Sequence, residues 1–166
     1  MLIGKDLNDA INAQIGHELQ AELHYLSVAS YFESEALPKL AEFFFKQASD
    51  ERMHAMKFLK YVLEAGGTVV IPAIPAPQAS FKSGEEAVEL SLKWEKSVTR
   101  NIFDLMEIAI KAKDYIAQQF LNWYTNEQLE EENTMDTLLR LMKRAGERNL
   151  IMMEAYFSHG FGNEEE

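Results

Sequence analysis

The sequence predicts an all-α fold: a four-helix bundle with a long crossover between the second and third helices and a short fifth helix at the C-terminal end. Three observations carry this. Apolar residues recur at alternating spacings of three and four through four long stretches, the signature of a helix with one buried face. Three of the four prolines fall together in GGTVVIPAIPAPQASFKSG, residues 66–84. The remaining joins are only a few residues long, which favours antiparallel neighbours. At 166 residues and 47% apolar, residues 1–166 suit one domain with one substantial core.

Taken in order, Asp6 is the expected N-cap of a first helix that ends near Glu35. Pro38 suits the first turn of the second helix, which runs to about Ala65 and stops at Gly66-Gly67. The crossover, about 66–82, could stretch to roughly 55 Å at ~3.3 Å per residue, whereas the second helix is about 40 Å long at ~1.5 Å per residue. It can therefore span the bundle end to end and leave the second and third helices parallel. Its VVI run could pair as a strand, but the prolines beside it favour an extended strap. Ser83 followed by Glu86 has the form of a capping box for a third helix reaching about Lys111. Asp114 can cap the fourth, which continues to about Arg144 and ends at Gly146, so that the four-helix bundle occupies about 6–144. RNLIMMEAYFSHG supports the fifth helix, about 147–159, and the GNEEE tail reads as frayed.

Composition narrows the chemistry. With no cysteine, disulfide scaffolds, Cys-ligated zinc, iron–sulfur clusters and cysteine nucleophiles are excluded. Acidic side chains outnumber basic ones by 27 to 16, a formal net charge of −11, which argues against binding the phosphate backbone of nucleic acid and fits cations better. No run reaches ~18 uninterrupted apolar residues and the amino terminus lacks a basic flank before an apolar core, so no membrane association and a cytoplasmic location are expected.

The informative feature is where the apolar stripes break. The fourth helix places Leu121, Tyr124, Gln128, Glu131, Met135, Leu138 and Met142 on one face, with two polar residues in mid-stripe. The second carries Glu51 and His54 between Phe44 and Phe58, the third Glu95 between Leu92 and Ile102, and the first Glu18 and Glu22 between Ile15 and Tyr25. Each interruption falls near a helix midpoint, so in a side-by-side bundle they share one level. A buried, unpaired carboxylate costs several kcal/mol, and four together repel one another. The candidate lysines and arginines lie mostly off the stripes. A pair of divalent ions, iron or manganese, is the economical counter-charge, since di-iron carboxylate bundles use one Glu from each of two helices and Glu-x-x-His from the other two. Glu51-Arg52-Met53-His54 is one such motif; its expected counterpart is instead Gln128-Leu129-Glu130-Glu131, which lacks the imidazole.

The runs IGHELQAELHYLSVASYF, QASDERMHAMKFL, KWEKSVT and FLNWYTNEQLEEE resemble the corresponding segments of non-haem ferritins of the bacterial and archaeal type, a resemblance that covers nearly the whole chain. It implies a ferritin-like bundle, a homo-oligomeric 24-subunit cage, and oxidation of Fe(II) by O2 or H2O2 at an intrasubunit di-iron centre, followed by storage of ferric mineral. By resemblance, Glu18, Glu51, His54, Glu95 and Glu131 correspond to the metal ligands, with Glu51 bridging, and Gln128 to a weak or indirect one. Tyr25 corresponds to the tyrosine that supplies an electron or a hydrogen bond during oxidation. Asp50, Glu127 and Glu130 match a third iron site, although Asp50 is shorter than the usual Glu. Haem is not expected, because the position of the haem-ligating methionine of the related bacterioferritins holds Arg52. Glu22 departs from the family pattern, and Gln118 and Leu121 stand where animal ferritins line a threefold channel with acids.

Two other functions fit the residues: a non-storage soluble di-iron oxidase or peroxidase, and a structural bundle in which the polar groups only fix helix pairing. Taken alone, Glu51 with His54 or the run Glu130 to Glu132 would be an ordinary solvated face; the coincidence of four interruptions argues otherwise. His17 and His24 read as surface or interface groups, and His159 as a helix C-terminal cap. The missing second imidazole makes two metal positions unequal: metal titration should resolve a tight and a readily exchanging ion, and two equal affinities would contradict it.

Overall fold

Each long helix begins where the free amides of its first turn find an acceptor, and two of those acceptors come from the fifth helix and the turn before it. The computed structural model describes residues 2–159, as α1 (Lys5–Ser34), α2 (Pro38–Glu64), α3 (Gly84–Lys111), α4 (Tyr115–Ala145), a 3-10 turn (Glu147–Asn149) and α5 (Ile151–Ser158). No strand occurs among the described residues, and the GNEEE tail lies outside them. Ser83 caps α3 by accepting from the Glu86 amide at 3.0 Å, and the Glu86 carboxylate returns to the Lys82 amide. Asp114 caps α4 by accepting from the Ala117 amide at 2.9 Å.

Asp6 does not cap α1. The N-cap is Gly4, whose carbonyl accepts from the Asn8 amide at 2.9 Å; Asp6 sits inside the first turn, where its charge faces the positive end of the helix dipole. The extra turn is held because the Leu2 amide donates to the Ala65 carbonyl at 2.8 Å, tying the amino terminus to the end of α2.

α2 starts with Pro38 and receives no cap from Leu37. The Glu154 carboxylate on α5 takes the amides of Lys39 and Leu40 at 2.8 and 3.1 Å instead. Similarly, Glu147 accepts from the Gly84 amide of α3 at 2.7 Å. The fifth helix, with Phe157 tilted against Phe43 at a ring separation of 5.2 Å, is thereby fastened to the end of the bundle.

The crossover runs unpaired along α1. Asn8 and Asn12 donate to the Thr68 carbonyl at 3.0 and 2.9 Å and accept from the amides of Thr68 and Val70 at 2.9 and 3.0 Å. Farther along, Gly16 leaves room for the Pro72 ring, which any Cβ there would strike, and Ser27 donates to the Gln78 carbonyl. Three faces of α1 are therefore occupied, by α2, by α3 and by the strap.

That arrangement corrects the reading of His24. It is buried, stacked on Trp94 at 6.1 Å, and its Nε2 lies 3.0 Å from Ser91 Oγ; since Ser91 donates its own proton to the Ala87 carbonyl, His24 is the donor. Burial pushes the imidazole down to about 4.

The inward stripes bury as their spacing requires. One apolar cluster gathers Tyr25, Phe32, Phe44, Leu92, Met135 and Met142. A second gathers Ile11, Phe58, Ile102, Leu121 and Tyr124. Leu121 is fully buried there, so it is a core residue and does not line a channel. Between the two clusters lies the polar level. Glu154→Ala should cost about 1 kcal/mol, the ordinary value of a helix cap, read as a lower denaturant midpoint at unchanged slope.

Candidate metal centre

Periodicity brings Glu18 of α1, Glu51 and His54 of α2, Glu95 of α3 and Gln128 and Glu131 of α4 to the same level, all buried. Ligand atoms of Glu18, Glu51 and His54 lie within 4.8 Å of one another, as do those of Glu51, Glu95 and Glu131. Glu51 belongs to both groups, so its carboxylate stands between two positions. His54 Nδ1 is 3.3 Å from Glu51 Oε2, while its Nε2 faces Glu127 and Glu131 at 3.8 and 3.9 Å.

The site has more acceptors than partners. Glu18 Oε2, Glu51 Oε1, His54 Nε2 and Glu131 Oε2 are buried without a hydrogen-bond partner. Burial, then the charges of Glu95 and Glu18, hold the Glu51 carboxyl well above its usual range, and burial with Glu95 and Glu51 does the same to Glu131. Glu95 is raised chiefly by burial. Burial alone would lower the His54 pKa, but the nearby carboxylates of Glu127, Glu131 and Glu18 win and raise it to about 9. Four carboxylates and one imidazole with orphaned, converging donor atoms fit two hard or borderline divalent ions.

Surrounding groups fix these side chains. The Tyr25 hydroxyl donates to Glu95 Oε1, and Gln128 Nε2 lies 3.2 Å from Glu95 Oε2, so Gln128 turns its donor side toward this carboxylate. Burial, followed by the charge of Glu95, holds the Tyr25 phenol well above its usual value. Trp123 meets the His54 ring edge-on at 5.4 Å and carries Lys57 Nζ 3.9 Å above its own ring.

The outer acids are less concentrated. Asp50 and Glu127 are half-buried and Glu130 is exposed. Glu127 joins His54 and Glu131 in a third group within 4.8 Å, whereas no such group among the described residues includes Asp50 or Glu130. Burial is the main cause of the raised Asp50 pKa. Glu22 points to the rim, 3.6 Å from Arg52 Nη1.

Sequence reasoning missed two contributors. Tyr124, counted among the apolar stripe, donates its hydroxyl to the His54 carbonyl at 2.8 Å. Buried Gln14 donates to Glu18 Oε1 at 2.9 Å, a contact signalled only by its i,i+4 spacing.

Raised carboxyl and imidazole values mean that the folded, metal-free chain holds protons the unfolded chain releases. The contribution of these groups to stability is thus fully present below their ordinary values, 4.5 for the carboxyls and 6.5 for His54, and is lost as pH rises, that of His54 by about pH 9. Glu131→Gln should raise the stability of the metal-free chain at pH 7 by about 1 kcal/mol or more while weakening metal binding, measured by paired thermal melts and metal titration.

A ferritin-like domain family matches residues 8–145. The bacterial non-heme ferritin of Staphylococcus haemolyticus is 38% identical over 146 residues, 88% of each chain, and that of Staphylococcus aureus 37% over the same share. An open-pore ferritin from the hyperthermophilic archaeon Archaeoglobus fulgidus superposes with a TM-score of 0.91 at 34% identity, covering 95% of this chain and 97% of that one. A helical bundle with a carboxylate-rich mid-level and relatives of this identity and coverage settle the lineage: the chain belongs to the ferritin family.

Proposed function

We propose that the chain is the subunit of an iron-storage ferritin and a ferroxidase, with residues 1–166 acting as one ferritin-like unit. Two Fe(II) ions are the substrate at the mid-level site, each giving one electron to O2 or together reducing H2O2, and the ferric product passes to mineral inside a homo-oligomeric cage of the 24-subunit type. The observation that carries the reading is the shared position of Glu51 between the Glu18/His54 and Glu95/Glu131 groups. A bridging carboxylate holds two ions close enough to lose electrons to one oxidant.

The remaining residues have definite tasks in this reading. Glu18 and His54 hold one ion and Glu95 and Glu131 the other, with Gln128 near the second as a weak or indirect ligand. Glu127 faces His54 from the half-buried side and, with Asp50 and Glu130, is the candidate for a third iron position beside the centre. Tyr25 keeps Glu95 oriented and is placed to donate an electron or a proton. No haem enters the reading, since Arg52 occupies the relevant position and pairs with Glu22.

A cytoplasmic location and the absence of nucleic-acid and membrane partners accompany this proposal; no described helix is long and apolar enough to cross a membrane.

Glu51→Ala should leave assembly intact by size exclusion yet lower the initial rate of aerobic Fe(II) oxidation by about 100-fold, followed by stopped-flow absorbance. An unchanged rate would overturn the site. Iron retained by the wild-type particle should far exceed the roughly two ions one bundle centre can hold; two or fewer would favour a non-storage oxidase.

A further inference from the structure

Glu18 receives its hydrogen bond from a residue of its own helix that the site does not otherwise use. Its Oε1 accepts from Gln14 Nε2 at 2.9 Å, while its Oε2 is buried and unpartnered. Gln14 is 2% exposed and has no route to solvent for its amide. The Tyr25 and Gln128 donors both go to Glu95.

The surroundings of Gln14 are also fixed. Asn101 Nδ2 of α3 lies 3.0 Å from Nδ1 of half-buried His17 and donates to it, so that ring nitrogen is an acceptor. Gln14 Oε1 lies 3.3 Å from the same nitrogen as a contact without a shared proton. Gln14 is thus held to Glu18 through its own nitrogen, on a face of α1 braced against α3 by His17 and Asn101.

We infer that Gln14 is a positioning residue for the metal centre: it pins one oxygen of Glu18 so that the other points at the ion shared with Glu51 and His54. This rests on the di-metal reading above. A donor that fixes a ligating carboxylate costs ~10–100-fold in metal affinity when removed. The effect should be confined to one position, because Gln14 touches neither Glu95 nor Glu131 in any hydrogen bond of the site.

The test is Co(II) titration of the full chain, with wild type, Gln14→Met and Gln14→Asn compared. Met keeps the volume and loses the donor; Asn keeps the amide but is one methylene too short, and it guards against a packing defect in the Met variant. Calorimetry gives the two affinities, and the paramagnetically shifted imidazole N–H signal of His54 identifies the position it occupies. Both variants are expected to lose about 10–100-fold in affinity at the His54 position and to stay within about threefold of wild type at the other. Equal affinities in all three proteins would overturn the inference, as would a parallel fall at both positions, which is the mark of a general packing change. If wild type itself binds no Co(II), the di-metal reading fails and takes the inference with it.

Discussion

The fold is organised around a charge problem. Glu18, Glu51, Glu95 and Glu131 are all buried at one level, with His54 as the only basic group among them, and several of their atoms have no hydrogen-bond partner. Such a layer destabilises a bundle unless cations enter it. The apolar clusters on either side supply the burial that tolerates it, and the stacked rings of Phe58 and Tyr124, 4.0 Å apart, seal one flank. Stability is thus spent at the middle of the molecule and recovered at its two ends.

Orientation within the layer is imposed from several elements. Tyr25 reaches across from α1 to Glu95, Gln128 from α4 to the same carboxylate, and Tyr124 anchors the backbone of His54. Each is a donor directed at an acceptor or at its support, so the carboxylates keep their geometry despite mutual repulsion. The asymmetry of the site follows from the same contacts: one position has an imidazole and the Gln14-supported Glu18, the other has carboxylates and a glutamine that faces them with its nitrogen.

Much of this was legible in the sequence because helical periodicity is a projection of the fold. The three-and-four spacing put Glu51, His54, Glu95 and Glu131 inward, and the short joins together with the proline-rich crossover gave the order of the helices. What escaped was what periodicity cannot encode. α1 is buried on three faces, so Gln14 and His24, off the principal stripe, are interior; that depends on the strap lying along the helix. The shift of the first cap from Asp6 to Gly4 depends on the Leu2 to Ala65 bond, a contact between segments far apart in the chain. Tyr124 looked apolar by position, and its hydroxyl acquires a role only when α2 is in place.

The caps supplied by Glu147 and Glu154 carry a consequence for how the molecule is made. The amides they satisfy belong to the first turns of α3 and α2, which leave the ribosome long before the residues that complete them. A nascent chain can form both helical hairpins first, but the start of α2 stays open to water until α5 has been made. The fifth helix is therefore a latch: it closes the same end of the bundle at which the second helix began, and a product truncated before Glu147 would be left ajar there.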